Sequence, residues 1–222
     1  MSIVYEPIGI LHSPFKRLYD APRQPRIDVV ADTSYVELIA GRNFEQALQD
    51  LRGCDRIWLI VHFHNVKSWK PKVLPPRGRT KRGVFATRSP HRPNPIGITC
   101  CELIDIVGLR LDVRGTDLID GTPVLDIKPY VPYADAHPSS KVDWLETLEG
   151  TTYTIDDGEA TKVPEQIREY VVRVLRSDPL PHPYRRIERM ADGSYELAVR
   201  NHRVVYTIED RLISIRQTRV VL

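Results

Sequence analysis

Apolar and polar positions alternate, with an apolar excess, from Ile3 to Leu11, until His12-Ser13-Pro14 breaks the run. Residues 26–30 and 35–39 read as two further short strands. Asn43 to Leu51 has helical spacing. Ala47, Leu48 and Leu51 share a face, Asn43 stands as N-cap with Gln46 at the capping-box position, and Gly53 follows as a stop. Arg56 to His64 carries the strongest strand pattern. Ile57, Leu59, Val61 and Phe63 point one way, and Trp58, Ile60, His62 and His64 the other, which predicts a central strand covered on both faces. Strands are predicted at 84–87, 97–106, 109–116 and 123–128. From Pro132 to Lys162 the periodicity fades. Pro164 then opens a helix whose stripe is Ile167, Tyr170, Val171, Val174 and Leu175, and Asp178-Pro179-Leu180-Pro181-His182-Pro183 ends it. Strands at about 185–190, 194–200 and 203–217 close the chain, with Asp192-Gly193 as a hairpin turn. The pattern therefore divides into a β-rich body (1–135), a connector (136–162) and a small α+β appendage (163–222). Many short strands and few helices point to a barrel-like or sandwich core.

Composition narrows the class. The 222 residues are 41% hydrophobic and 27% charged, as in an ordinary globular protein. The longest apolar run, Ile57-Trp58-Leu59-Ile60-Val61, is too short to span a bilayer, and Glu6 and Pro7 interrupt any signal-like core, so a cytoplasmic location with no membrane partner is expected. Cys54, Cys100 and Cys101 have no zinc-like spacing and read as small buried hydrophobes.

Charge is distributed unevenly. The net charge is only +3, yet the stretch from Arg56 to Cys101 holds ten Lys and Arg residues and no acid. Arg77, Arg79, Lys81, Arg82 and Arg92 stand in its densest part. A segregated positive field of this size suits a phosphate backbone.

Two segments stand apart from core and surface. In Gly83 to Gly97, three prolines within six residues stiffen a loop bearing Arg88, His91, Arg92 and Asn94. In Asp117 to Tyr130, Asp120-Gly121 turns the chain, after which Asp126, Lys128 and Tyr130 share one strand face, able to orient or deprotonate a substrate. No Rossmann glycine motif, P-loop, serine elbow or cysteine–histidine pair is present. His62 and His64, with Asp120 or Asp126 as a third ligand, keep a metal-dependent hydrolase open as a rival. A non-catalytic RNA-binding module needs only the basic stretch.

Pro22-Arg23-Gln24, Phe63-His64, Gly83 to Ser89, Arg92 to Gly97 and Asp120 to Tyr130 closely resemble, in order, the motifs of the TrmO family of tRNA (adenine-N6)-methyltransferases. The resemblance implies a compact single-sheet β-barrel that binds S-adenosylmethionine (SAM) outside the Rossmann tradition and works as a homodimer. It implies methyl transfer to N6 of threonylcarbamoyl-adenosine in the tRNA anticodon stem-loop, chiefly of threonine tRNA. Carried over by motif, the SAM pocket comprises Pro22, Arg23, Gln24, His64, Asn65, Arg88, Ile98, Ile119, Asp120, Gly121 and Thr122. Within that reading Arg23 or Arg88 meets the SAM carboxylate, and Asp120 its amino group or ribose. Asp126 is the first candidate for general base and Tyr130 the second, with Lys128 assisting; a plain Asp126–Lys128 salt bridge is the alternative for that pair.

Overall fold

The structure, a computed structural model, describes residues 3–17, 21–22, 33–75, 80–149, 152–181 and 187–221. The predicted strand at 26–30 lies outside them, as do the site candidates Arg23, Gln24, Arg77 and Arg79. The chain forms two compact units, Met1–Val73 with Lys81–Pro138, and Leu74–Thr80 with Ser139–Leu222.

The first unit is built from β1 (Gly9–His12), β2 (Thr33–Leu38), β3 (Arg56–His62), β4 (Lys72–Val73), β5 (Arg82–Gly83), β6 (Ile96–Val107), β7 (Arg110–Arg114) and β8 (Thr122–Pro129). Two one-turn helices join them, α1 (Phe44–Ala47) and α2 (Pro132–Asp135). Six strands close into an antiparallel barrel in the order β1-β2-β7-β6-β3-β8, and β4 pairs with β5 separately. Of the two architectures left open by strand content, the barrel is the one formed. Closure leaves none of the six barrel strands as an edge open to intermolecular pairing.

Alternation sets the interior. Ile57, Leu59 and Val61 of β3 are fully buried, packed with Leu11, Val36, Leu111, Val113 and Val124 from the other strands. Each such side chain contributes about 1.5–3 kcal/mol by leaving water. The opposite row of β3, Trp58, Ile60 and His62, is only half-buried, so β3 is covered on one face rather than two. A barrel strand has neighbours on both sides and still shows one face outward, which explains its apolar outer row without a second layer.

Local chemistry overrides several expected elements. The helix expected over 43–51 is a single turn, because Asn43 takes a left-handed conformation (φ 56°) and donates its side-chain amide to Gln46 Oε1 (2.8 Å) instead of capping a backbone N–H. Residues 84–86 form a 3-10 turn rather than a strand. Of the cysteines, Cys101 is buried and Cys54 and Cys100 are half-buried, so one of the three fits the reading as a core residue.

The second unit holds α3 (Asp143–Glu149), β9 (Thr154–Ile155), α4 (Asp157–Thr161), α5 (Glu165–Ser177), β10 (Ile187–Arg189), β11 (Tyr195–Val199), β12 (His202–Glu209) and β13 (Leu212–Val220). Its sheet runs β10-β11-β12-β13-β9. Ile167, Val171, Val174 and Leu175 of α5 are buried in one cluster with Leu197, Val204, Tyr206, Ile213 and Ile215 of the sheet. The long strand expected over 203–217 is two strands. Asp210 (φ 45°) and Arg211 (φ 70°) make a two-residue turn with both centres left-handed, the conformation hairpins favour, without the usual Asn-Gly signature. Residues 139–162 belong to this unit. β9 adds a parallel edge to β13, and Asp156 caps α4 by accepting from Gly158 N (2.8 Å).

Candidate functional site

Register brings distant motifs to one rim of the barrel. Val61 lies opposite Gly97 on one side and Val124 on the other, His62 opposite Ile96, and Leu11 opposite Thr122. The end of β3, the starts of β6 and β8, and the end of β1 therefore meet. Four candidate segments follow directly from these strand ends: His64-Asn65, Ile98, the turn Ile119–Thr122, and the loop that carries Arg88 into β6.

The turn is clamped to the chain after β1. Asp120 N donates to Phe15 O (2.9 Å) and Gly121 N to Leu11 O (2.9 Å), with Gly121 at φ 77°, where only glycine is unstrained. Asp120 Oδ1 accepts from Ser13 N (3.0 Å), and its Oδ2 pairs with Lys16 Nζ (2.7 Å). His12 Nδ1 stands 3.7 Å from Oδ1, and its ring stacks on Tyr35 at 4.7 Å. Asp120 was expected to meet SAM; its carboxylate braces residues 12–16, and the partner it holds most openly is Lys16. Thr122 is buried and donates its hydroxyl to Ile119 O (2.7 Å), so its side chain closes the turn. Sequence gave no sign of the His12, Ser13 and Lys16 partners beyond the break at Pro14.

The Lys16 hydrogen bond and the Ser13 N–H hold the Asp120 carboxyl below its ordinary value. A carboxyl depressed on folding adds stability above its unfolded value, about 3.9, and loses it as pH falls through the folded value. Asp120→Asn is therefore expected to be less stable than the wild type at pH 7, with the gap narrowing steadily below about pH 4. Urea unfolding of both proteins between pH 3 and 7 measures this. A gap independent of pH would mean the ionised carboxylate is not what clamps the turn.

The stiff loop is stapled by its own polar groups. Thr87 Oγ1 donates to Val84 O (2.9 Å), and Ser89 N and His91 N reach back to the Thr87 and Ser89 hydroxyls. Arg92 Nη1 donates to Thr87 O (2.9 Å) and Val84 O (3.3 Å). Its guanidinium lies 5.6 Å from the centre of the Phe85 ring, which is 75% exposed. Arg92 was expected as a phosphate contact, and the structure employs it to shape the loop. Lys81, exposed just before β5, and Arg82, half-buried on it, flank this loop. At the loop's end Phe63 N donates to Pro95 O (2.8 Å) and the Phe63 ring lies on Gly97.

His62 and His64 do not sit side by side on one pleat. His64 N donates to His62 O (2.9 Å), a tight turn that ends the alternation. Among the described residues no three His, Cys, Asp or Glu side chains gather as a metal site. Nor, among these residues, is any helix long and apolar enough to cross a membrane.

The candidate chemistry lies on the outer face beside this rim. Ile60 of β3 is opposite Asp126 on one side and Ile98 on the other, while Trp58 is opposite Lys128 and Cys100. Two strand spacings separate Asp126 from Ile98, about 10 Å. Asp126 Oδ2 pairs with Lys128 Nζ (2.8 Å), both side chains being about half exposed or more (49% and 64%). The Tyr130 ring is 5.8 Å from that of Trp58, whose indole N–H donates to Asp135 Oδ2 (3.0 Å). Asp135 on α2 also accepts from Val131 N (2.8 Å), so α2 positions the Trp58–Tyr130 pair, a role for Trp58 that strand alternation does not show.

The residues present fit SAM in kind. Arg88 supplies an exposed cation for a carboxylate, Ile98 (62% exposed) an apolar wall, and exposed His64 and Asn65 polar edges. Pro22 is half-buried among the described residues; the sequence neighbours with which it was grouped lie outside them.

The model of the tRNA-methyltransferase O N-terminal domain matches residues 10–136. A tRNA (adenine(37)-N6)-methyltransferase of Escherichia coli (strain K12) is 35% identical over 196 residues, covering 81% of this chain and 83% of that one. A probable S-adenosyl-L-methionine-binding protein of Pyrococcus abyssi (strain GE5 / Orsay) is 44% identical over 66% of this chain and 78% of its own. The crystal structure of TrmO from Pseudomonas aeruginosa aligns at a TM-score of 0.62 and 30% identity, over 99% of both chains.

Barrel, rim and these likenesses together define a methyltransferase that takes its methyl group from SAM and is built on a closed antiparallel barrel. The chain belongs to the tRNA-methyltransferase O family.

Proposed function

We propose that this protein methylates N6 of adenine 37 in tRNA, the reaction for which its Escherichia coli relative is named, and that the base it takes is N6-threonylcarbamoyl-adenosine, chiefly in threonine tRNA. The observation that carries the reading is Ile60, flanked by Asp126 on β8 and by Ile98 on β6. A base candidate and a wall of the donor rim thus stand within the span of one nucleotide.

When bound, SAM supplies a methyl group on a sulfonium that needs no further activation. The acceptor is the difficult partner. Carbamoylation delocalises the N6 lone pair, so the nitrogen attacks only as its proton leaves. Asp126 would take that proton as the nitrogen accepts the methyl group and the thioether leaves with the C–S electron pair. Lys128 holds Asp126 and offers its charge to the threonyl carboxylate. Tyr130, set against Trp58, presents a ring face to the splayed-out base, an interaction typically worth ~1–3 kcal/mol. Arg88 would hold the SAM carboxylate in a charge-assisted pair and so position the donor. The acid-free stretch, through Lys81, Arg82, Arg77 and Arg79, attracts the anticodon stem-loop, with a contribution that falls steeply with salt. A homodimer belongs to the same reading, in keeping with Ile96 and Ile98 standing outward on β6.

Incubation with methyl-labelled SAM and tRNA lacking the N6-methyl mark, followed by nucleoside mass spectrometry, tests this. Label is expected in threonylcarbamoyl-adenosine and nowhere in a matched tRNA without the threonylcarbamoyl group. Equal labelling of both tRNAs would refute the substrate, and no label despite SAM binding would refute the reaction.

A further inference from the structure

Two large aromatic side chains stand in water on the acid-free stretch, and neither the barrel core nor the proposed chemistry uses them. Phe85 is 75% exposed and Trp69 52%. A single exposed apolar residue needs no explanation, but these two are brought together, and a paired aromatic surface left in water marks a place where something docks. Ser68 O lies 3.3 Å from His91 Nδ1, and Lys70 N donates to His91 O (3.1 Å), so Trp69 is bracketed by contacts to the stiff loop. Further along, Val84 N donates to Pro71 O (3.0 Å) and Lys72 pairs with Gly83. The segment that carries Trp69 is thus laced along the loop that carries Phe85. Both lead to the rim, the first following His64-Asn65 and the second running toward Arg88.

The surroundings of both rings are cationic. Trp69 sits in Lys67-Ser68-Trp69-Lys70-Pro71-Lys72, where all three lysines are exposed. The Arg92 guanidinium lies over the Phe85 ring, and the arginine is itself pinned to Val84 O and Thr87 O. Phe85 therefore stands on backbone already stiffened by prolines and hydroxyl staples, with little freedom left to lose on binding. Charge selects the partner. A second copy of this chain docking by the same face would set these lysines against one another, because a two-fold contact joins like to like. A polyanion is attracted instead. Aromatic faces among cations suit nucleobases, and only unpaired ones, since the bases of a duplex are already stacked on each other.

We infer that Trp69 and Phe85 form a stacking platform for unpaired nucleotides of the RNA loop that holds the target adenosine, with Lys67, Lys70 and Lys72 meeting the phosphates between them. This deepens the proposed reaction on tRNA and rests on it. The basic stretch alone attracts any phosphate backbone; the two rings favour a single-stranded loop over a helix. Such stacking tolerates changes of sequence, because every base has a π-face.

Fluorescence anisotropy with an anticodon stem-loop RNA and with an RNA duplex of equal phosphate count, each at several salt concentrations, tests this. The proteins are the wild type, Trp69→Ala, Trp69→Phe, Phe85→Ala, Phe85→Tyr and Lys70→Ala, with SAM calorimetry, thermal melts and sedimentation alongside. Trp69→Ala and Phe85→Ala are each expected to weaken the stem-loop about tenfold, to leave the duplex unchanged and to keep the salt slope. Trp69→Phe and Phe85→Tyr retain a ring face and should bind close to the wild type. Lys70→Ala should weaken both RNAs alike and lower the salt slope by about one. SAM affinity and melting temperature should not move. No loss for the stem-loop, an equal loss for the duplex, or a parallel loss of SAM affinity would each overturn the platform. A change of subunit association with RNA affinity intact would overturn it too and give the face to a protein contact. A wild type with no affinity for the stem-loop even at low salt would instead overturn the tRNA reading on which the platform rests.

Discussion

Gly97→Ala is expected to lower the melting temperature of the barrel by about 5–10 °C, from an overpacking cost of ~1–3 kcal/mol. A Cβ at Gly97 would lie 2.4 Å from Phe63 Cζ and 2.9 Å from both Cε atoms, far inside van der Waals contact. The ring cannot withdraw easily. Its own backbone is tied to Pro95 O at 2.8 Å, and His64 N and Val66 N close turns on either side of it. The strain passes to His64 and Asn65, so SAM binding should weaken even in the fraction that stays folded. Phe63→Leu makes room for the new methyl, and the double variant should recover part of the lost stability. Thermal melts of the two single variants and the double measure that coupling directly. If Phe63→Leu and Gly97→Ala add without recovery, the contact between ring and glycine is not what fixes residue 97.

The Phe63–Gly97 contact illustrates what the sequence could show and what it could not. Both residues belong to recognisable motifs thirty-odd positions apart, yet nothing in either motif says that one ring lies on the other's missing side chain. Period-two alternation made β3, β6 and β8 legible because burial of Ile57, Leu59 and Val61 depends on that period and on little else. Strand content alone allowed a barrel or a sandwich, the motif resemblance implied the barrel, and the long-range pairing of β1 with β8 closes it. Elements fixed by polar staples were opaque. Residues 84–86 turn because Arg92 and Thr87 hold the carbonyls there, and the expected helix at Asn43 stops after a turn because its amide bonds a side chain.

The site divides along the same line. Asp126 and Lys128 were legible as one face of a strand; that this face is the outer one follows only from their register against Ile60 and Trp58. Asp120 was read as a ligand contact because its motif is distinctive, whereas its partners Ser13 and Lys16 lie over a hundred residues away in sequence. Asp117 opened a segment that the sequence singles out but drew no role there, and Thr99 carried no signal. Buried polar side chains such as these are visible only once the strands that bury them are in place.

Asp126→Asn is expected to reduce single-turnover methyl transfer by about 10²–10⁴-fold, the range over which a positioned general base acts. The substitution removes the proton acceptor and keeps the shape. SAM affinity should not change, since the donor rim lies about two strand spacings away across Ile60. Stability should change little. Asp126 and Lys128 form an exposed ion pair, a type that contributes about 0–1 kcal/mol, so a loss of turnover cannot be laid to unfolding. Lys128→Ala separates the two tasks given to that lysine. If its charge meets the threonyl carboxylate, KM for tRNA rises severalfold while the rate at saturation falls less. Tyr130→Phe keeps the ring that rests on Trp58 and removes only the phenol, so it should retain stacking and most of the rate. Should Asp126→Asn turn over normally while Tyr130→Phe fails, the proton leaves through the tyrosine, and Asp126 serves only to anchor Lys128 on the strand beside it.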